Sequence, residues 1–369
     1  MKKIWEAKLQ IDINNVIHNI NAIKQFVGPK VTVMPIIKDN AYGTKINERL
    51  DIFEKAGVNI VGVAITDEAI RLRELGYNGD IFILNQPFEH ELDSIAKYDI
   101  IAGIGSVEFL KQFAKHSEKR FRIHMEIGTG MGRTGINPSR AIEYVNEAKK
   151  YPNVSIEGIY THFSCADCDD LYSQKQISSF KFAVDSVKNE IPNLKYIHCC
   201  SSAAILNYPQ VHFNMVRPGL LLYGYYPSEN LKNKISLKPV TKLKSKISFI
   251  KKVNPGTSIS YGRTFITERP SVIATVPIGY ADGIRRCMSN RGHVVINNQL
   301  APIVGTVCMD CFMVDVTDIH GEVVDGTDVY IWDNNLITVE DIAKIYNTIS
   351  WEVISTISDR VVRDYITST

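Results

Sequence analysis

The sequence predicts an α/β fold, an N-terminal (β/α)8 barrel of the TIM type followed by a separate, mainly β domain. Three observations lead there. From residue 31 to about 224, short β-branched apolar runs alternate with amphipathic stretches of helical period, the pattern of a parallel sheet with crossover helices. Eight such runs can be counted, which suits a closed barrel better than an open sheet. After Tyr226 the helical alternation stops, and short alternating strands punctuated by Gly, Pro, Asn and Asp take over.

The eight runs are 31–38, 59–65, 80–84, 100–105, 121–128, 154–163, 196–202 and 214–223, with helical stretches such as 67–75 and 138–151 between them. Lys38, Asn85, Arg133, His162 and Ser202 fall at or just beyond the end of a run, and Arg217 sits inside its run. The C-terminal mouth of such a barrel is where its active site lies. Beyond the barrel, strands are expected at 242–253, 271–277, 292–296, 301–307, 312–316 and 328–331, then a helix at 338–346 and a basic, β-branched tail. The domains are therefore expected at 10–235 for the barrel, and at 1–9 with 236–369 for the β-rich domain.

A chain of 369 residues, 45% hydrophobic and 22% charged, is long enough for two domains with real cores. Its formal net charge of +2 gives no broad attraction to nucleic acid or to an anionic membrane, so the expected partner is a small molecule. Residues 1–7 lack the apolar core of a signal peptide, and no run of about 18 apolar residues occurs, so the expected compartment is the cytoplasm. Seven cysteines are an odd number for a disulfide framework. The pairs Cys165/Cys168 and Cys308/Cys311 have the spacing of zinc half-sites, but they lie far apart in the chain and without the Gly or Pro of a zinc knuckle. They are read as reduced, partly buried small hydrophobes, with no metal expected.

Lys38 follows the apolar run Val33 to Ile37. A lysine at the inner end of a barrel strand is desolvated, which lowers its pKa as a carbonyl-reactive lysine requires. Taken alone it is equally an ordinary strand-end lysine paired with a carboxylate. The tract that follows changes this: Ile36-Ile37-Lys38-Asp39-Asn40-Ala41-Tyr42-Gly43 resembles the segment in which alanine racemases carry their cofactor lysine. Further motifs follow in that family's order: Gly130-Met131-Gly132-Arg133-Thr134-Gly135, Thr161-His162-Phe163, Ser201-Ser202-Ala203-Ala204, Val216-Arg217-Pro218-Gly219-Leu220 and Ser258 to Phe265. The resemblance runs from Leu9 to about Arg363.

That resemblance implies pyridoxal 5'-phosphate as cofactor, attached to Lys38. Ser201, Ser202, Gly219 and Leu220 would serve the phosphate, Tyr42 would be a further cofactor contact, Arg133 would serve the phenolic oxygen, and Arg217, oriented by His162, the pyridine nitrogen. An arginine stays charged and only donates, so a pyridine nitrogen opposite it must accept, which weakens the ring as an electron sink. By the same resemblance Tyr261 is the second acid/base, acting in the other subunit of a head-to-tail homodimer. Lys38 would handle the α-proton of the D-isomer and Tyr261 of the partner subunit that of the L-isomer. Tyr280 and Met309, with Arg133, would contact substrate. Racemisation of L-alanine to D-alanine, a peptidoglycan precursor, is the implied reaction, with another amino acid such as serine as the alternative.

Two positions depart from the family. Glu126 stands where many relatives have a carbon-dioxide-modified lysine, and its carboxylate is expected to supply the same negative charge to Arg133. Trp351 occupies the place of a tyrosine that serves the phosphate; it is read as a cofactor contact able to donate only from its indole nitrogen, and its larger ring is expected to reshape the pocket around the substrate's side chain. The competing readings are a non-catalytic pyridoxal-phosphate-binding protein, which would lack the β domain; a decarboxylase, which would place an acid opposite the pyridine nitrogen; and a zinc-stabilised module.

Overall fold

A computed structural model describes residues 5–116, 119–191, 194–232 and 234–367. Of the N-terminal segment assigned to the β domain, residues 1–4 lie outside the described residues. The chain divides into two compact units, Asn15–Ala41 with Ile46–Lys238, and Met1–Asn14 with Tyr42–Lys45 and Pro239–Thr369.

Strand β1 (Lys8–Asp12) belongs to the unit that includes the C-terminus. The other unit carries eight parallel strands: β2 (Thr32–Val33), β3 (Ile60–Val63), β4 (Asp80–Ile83), β5 (Ile101–Ile104), β6 (Phe121–Glu126), β7 (Val154–Tyr160), β8 (Tyr196–His198) and β9 (Met215–Val216). Strands β3 to β8 form one sheet in that order, and β2 pairs with β9. Two bridges close the ring, Ile36 with Gly62 and Ser201 with Arg217. Their backbone bonds are Ile37 N–H to Gly62 O and Arg217 N–H to Cys200 O, each 2.8 Å. The fold is thus the expected (β/α)8 barrel, and each of the eight apolar runs contains one strand. The runs outlast the strands because the chain stays buried as it leaves each strand: Ile36, Ile37 and Ile127 are all in the core.

Strands β3 and β5 are buried at every position, as parallel strands covered on both faces must be. Along β6, Arg122, His124 and Glu126 alternate and therefore share a face. Between β6 and β7 the pairing shifts, Ile123 with Ile156 and then His124 with Gly158. This bulge inserts Glu157 as an extra residue and brings Tyr160 into register with Glu126. At the start of these strands Arg122 binds Glu157 through two bonds of 2.9 Å, Asp80 at 2.8 Å and Asp99 at 3.2 Å. The expected helix at 138–151 forms as a 3-10 turn, Pro138–Arg140, and a helix, Ala141–Ala148. Asn137 caps the turn, its side chain accepting from Ser139 N–H at 3.0 Å.

The second unit is mainly β, as expected. Its strands are β1, β10 (Thr241–Lys246), β11 (Phe249–Val253), β12 (Ser258–Ile259), β13 (Phe265–Ile266), β14 (Ser271–Val276), β15 (His293–Ile296), β16 (Gln299–Pro302), β17 (Phe312–Asp315), β18 (Asp328–Trp332) and β19 (Val362–Ile366). Six of them make a mixed sheet in the order β16-β15-β18-β10-β1-β19, three a second sheet β11-β14-β17, and β12 with β13 a short hairpin. Thr338 caps the helix Val339–Tyr346, its hydroxyl accepting from Asp341 N–H.

The sequence reading missed strand β1, the β12-β13 hairpin, the helix Ser350–Ser355 and strand β19, which the basic tail forms beside β1, and it ran β10 and β11, which lie in different sheets, together as 242–253. Gln10 to Asp12, read as the start of the barrel, lie instead in β1: Gln10 and Ile11 pair with both β10 and β19, and Asp12 pairs with β19. Residues Tyr42–Lys45 also group with this unit, because Arg363 donates to Gly43 O at 2.9 Å and Tyr365 to Lys45 O at 2.9 Å.

Candidate active site

Just past β2, Lys38 is half-buried and begins a backbone feature that the sequence reading did not foresee. Asp39 (φ 55°, ψ 55°), Asn40 (φ 49°, ψ 44°) and Ala41 (φ 54°, ψ 55°) are left-handed, and Tyr42 follows with φ 56°. Left-handed backbone costs an L-residue roughly 1–2 kcal/mol, so this stretch stores strain beside the lysine. Bonds hold it: Ala41 N–H donates to Ile37 O at 3.0 Å, and Asp39 N–H donates to the Glu68 carboxylate. Burial pushes the Lys38 amine below its usual range; Arg133 adds to this, while Glu68 and Asp39 oppose it.

Arg217 is 2% exposed. Its guanidinium meets four neutral acceptors, His198 Nδ1 at 2.8 Å, Thr161 O at 2.8 Å, His162 Nδ1 at 3.2 Å and Cys199 O at 3.4 Å. Burial lowers its pKa, but a guanidinium remains protonated in a protein. His162 is pushed down to about 3 by burial and by Arg217, Arg133 and Lys38. It is therefore neutral and free to accept from Arg217. The ring of Tyr160 stacks on His198, with centroids 5.2 Å apart and planes 4° apart, and the Arg217 guanidinium lies 5.7 Å from the Tyr160 centroid.

The Gly130 to Gly135 segment leaves β6 and returns where Ile136 pairs with Ile127. Gly130 takes a positive φ of 138° that disfavours other residues, and a Cβ there would displace the exposed Tyr172 side chain, whose hydroxyl would lie 2.4 Å away and donates to Gly130 O at 3.0 Å. Arg133 is exposed on this loop. The charge that Glu126 was expected to supply reaches Arg133 without a direct bond between them. Glu126, 3% exposed, instead accepts from the hydroxyls of Thr134 at 2.7 Å and Tyr160 at 3.0 Å. Arg133 acts on it only through its field, and burial raises the Glu126 pKa despite both hydroxyls. The physical reason is reach, since Thr134, the residue after the arginine, closes the turn onto the carboxylate.

Ser201 precedes the helix Ser202–Asn207. The Ser202 hydroxyl accepts from Gly219 N–H at 3.1 Å and Leu221 N–H at 3.4 Å, which leaves its own proton to donate elsewhere. Leu220 opens the 3-10 turn Leu220–Tyr223. Asn85, beyond β4, is exposed. The sequence reading passed over His124, Tyr160, Gln176 and His198. Gln176, fully buried, donates to Thr129 and to His162 O and accepts from Ser164 N–H, so it fixes the chain on both sides of His162. Spacing was the available signal for His124, which lies two residues before Glu126 on the same face.

In the second unit, Tyr42 is buried at the end of the left-handed turn and Trp351 is half-buried on the helix Ser350–Ser355. Tyr261 lies in a bent segment, with Ser260 at φ 65° and Gly262 at φ 72°. Its carbonyl accepts from Thr306 Oγ1 at 2.8 Å, and Ser260 Oγ donates to Thr306 O at 2.5 Å. Tyr280 N–H donates to Cys308 O at 3.1 Å, and Ala281 N–H to Met309 O at 3.0 Å. That approach requires Gly279, where a Cβ would sit 2.4 Å from both carbonyls. Tyr261, Tyr280 and Met309 are thus carried by adjoining backbone and are 73%, 43% and 53% exposed.

The alanine racemase N-terminal domain family matches residues 11–227, and the alanine racemase C-terminal domain family matches residues 240–365. The chain is 38% identical over 362 residues to the alanine racemase of Halothermothrix orenii, covering 96% of each. The chain belongs to the alanine racemase family. Members of that family are pyridoxal-phosphate-dependent amino-acid racemases. Among solved structures, alanine racemase of Clostridium difficile 630 superposes with a TM-score of 0.94 at 35% identity, covering 99% of this chain and 97% of that one. The structure of alanine racemase from Bartonella henselae with covalently bound pyridoxal phosphate superposes with a TM-score of 0.87 at 26% identity, covering 98% and 99%. Among the described residues, no group of three or more His, Cys, Asp and Glu is arranged to hold a metal ion, and no helix is long and apolar enough to cross a membrane.

Proposed function

We propose that this chain interconverts L- and D-alanine with pyridoxal phosphate held at Lys38, using Lys38 and Tyr261 of the partner subunit as opposed acid/base groups. One observation carries the reading: a desolvated lysine amine and a buried arginine without a carboxylate in contact belong to the same barrel. The residues fit the cofactor. Lys38 offers an amine whose neutral form is favoured by burial. Ser202, whose hydroxyl oxygen is held by the Gly219 N–H, offers its proton to a phosphate, Leu220 offers an N–H and Ser201 a hydroxyl; Tyr42 and Trp351 are further candidate contacts of the cofactor. Arg217, fixed by neutral acceptors, keeps a full positive charge and would donate to a ring nitrogen; His162 orients it. Arg133 would serve both the phenolic oxygen and the substrate.

Pyridoxal phosphate, when bound, acidifies the α-C–H of an amino acid joined to it. The Lys38 amine takes or returns the α-proton on one face, and the Tyr261 phenol does so on the other. Two groups are needed because neither reaches both faces. The exposure of Tyr261, Tyr280 and Met309 on adjoining backbone supports a homodimer in which each β domain completes its partner's site. Alanine is the proposed substrate, its D-isomer supplying peptidoglycan precursors in the cytoplasm.

The test is α-proton exchange in deuterated water, run on L- and D-alanine and on L-serine, with wild type and Tyr261→Phe. Wild type should racemise alanine, and Tyr261→Phe should lose racemisation while retaining exchange from D-alanine alone. Exchange that is lost or kept equally for both isomers would refute the two-sided assignment. A faster reaction with serine would move the substrate, in keeping with Trp351.

A further inference from the structure

Behind Arg217 stand two buried histidines that the proposed reaction does not use. Arginine only donates, so His198 Nδ1, 2.8 Å from Arg217, is the bare nitrogen of that ring. A neutral His198 then carries its proton on Nε2, 2.9 Å from His124 Nδ1. His124 Nδ1 must accept, and the His124 proton is left on Nε2. That N–H is buried without a partner among the described residues, which leaves a desolvated donor unsatisfied.

The pocket is shaped around the ring nonetheless. His124 stacks on Phe82 with centroids 4.6 Å apart, and a Cβ on Gly158 would come within 2.6 Å of it. Burial, with Arg217 among the positive neighbours, keeps both rings neutral: His124 is pushed down to about 3 and His198 well below its usual value.

We infer that His124 is a positioning residue for the racemase, fixing the tautomer of His198 and through it the orientation of Arg217. The orphan donor is thereby moved one ring away from the arginine. Removing the His124 acceptor transfers the orphan to His198 Nε2–H, next to the Arg217 bond. The inference rests on the reading that Arg217 serves the cofactor.

The test uses the pyridoxal-phosphate-loaded protein. Histidine-ring 15N NMR should show His198 protonated on Nε2 only, with no titration at the ordinary histidine value of about 6.5. His124→Phe keeps the stacking but lacks the acceptor, and it should weaken cofactor binding about tenfold, the effect of about 1.4 kcal/mol. His124→Asn puts an amide oxygen where Nδ1 stood and should restore binding to within about twofold, equivalent to about 0.4 kcal/mol. A His198 that is cationic or protonated on Nδ1 in wild type overturns the inference even if neither variant folds, as does equal cofactor binding by the two variants. A wild type that takes no pyridoxal phosphate at Lys38 overturns the proposed function instead, and that result is separable because it appears without any substitution.

Discussion

Replacing Glu126 with glutamine isolates a charge inside the barrel. The carboxylate accepts from Thr134 at 2.7 Å and from Tyr160 at 3.0 Å. An amide satisfies the same geometry: its oxygen accepts from Thr134, and its NH2 donates to the Tyr160 oxygen while the Tyr160 proton turns to Leu84 O, 3.2 Å away. Two charge-assisted bonds become neutral ones, a loss of about 1 kcal/mol each, and relief of desolvation offsets part of it. Net stability at neutral pH therefore decides little, and its pH dependence decides more.

Burial holds the Glu126 carboxyl above the ordinary range. A raised folded pKa gives stability that is present below the unfolded value, about 4.3, and lost as pH rises through the folded value. Wild type minus Glu126→Gln stability should fall from about pH 4 upward, by about 1.4 kcal/mol per unit of pKa separation, and then level off. Urea denaturation of both proteins across acidic to neutral pH measures it. A difference that rises with pH would show a depressed carboxyl and refute the reasoning. The variant should also bind pyridoxal phosphate about fivefold more weakly, about 1 kcal/mol, because Arg133 and Arg217 both feel the lost charge.

Arg122→Leu should destabilise the barrel by about 3 kcal/mol, read by thermal unfolding, since Glu157 and Asp80 lose their shared cation while only 12% and 22% exposed; an unchanged midpoint would show that the network contributes nothing. Gly103→Ala should cost about 1–3 kcal/mol and displace Tyr160 from Glu126, because the new Cβ would lie 2.4 Å from the Tyr160 hydroxyl and 3.0 Å from Ile83 O. Calorimetry checks the first effect and cofactor titration the second; wild-type behaviour in both would mean that the strands yield.

The chain order alone determined the architecture and much of the candidate site's membership. Eight apolar runs with helical intervals specify a parallel barrel, because strands buried on both faces must be apolar throughout while their crossovers need one polar face. Residues at the ends of those runs must gather at the mouth, which is why Lys38, His162 and Ser202 were legible. Only the tertiary structure decided what each side chain touches. The β6-β7 bulge sets Tyr160 beside Glu126, and a single inserted residue leaves no trace in hydrophobic period. The same holds for the left-handed turn after Lys38, which is held against its own propensity by bonds to Ile37 and Glu68. Arg217 keeps neutral partners rather than carboxylates because two neighbouring strands, β7 and β8, offer it histidines and carbonyls at their ends, and partners drawn from distant stretches of chain meet only when the barrel closes.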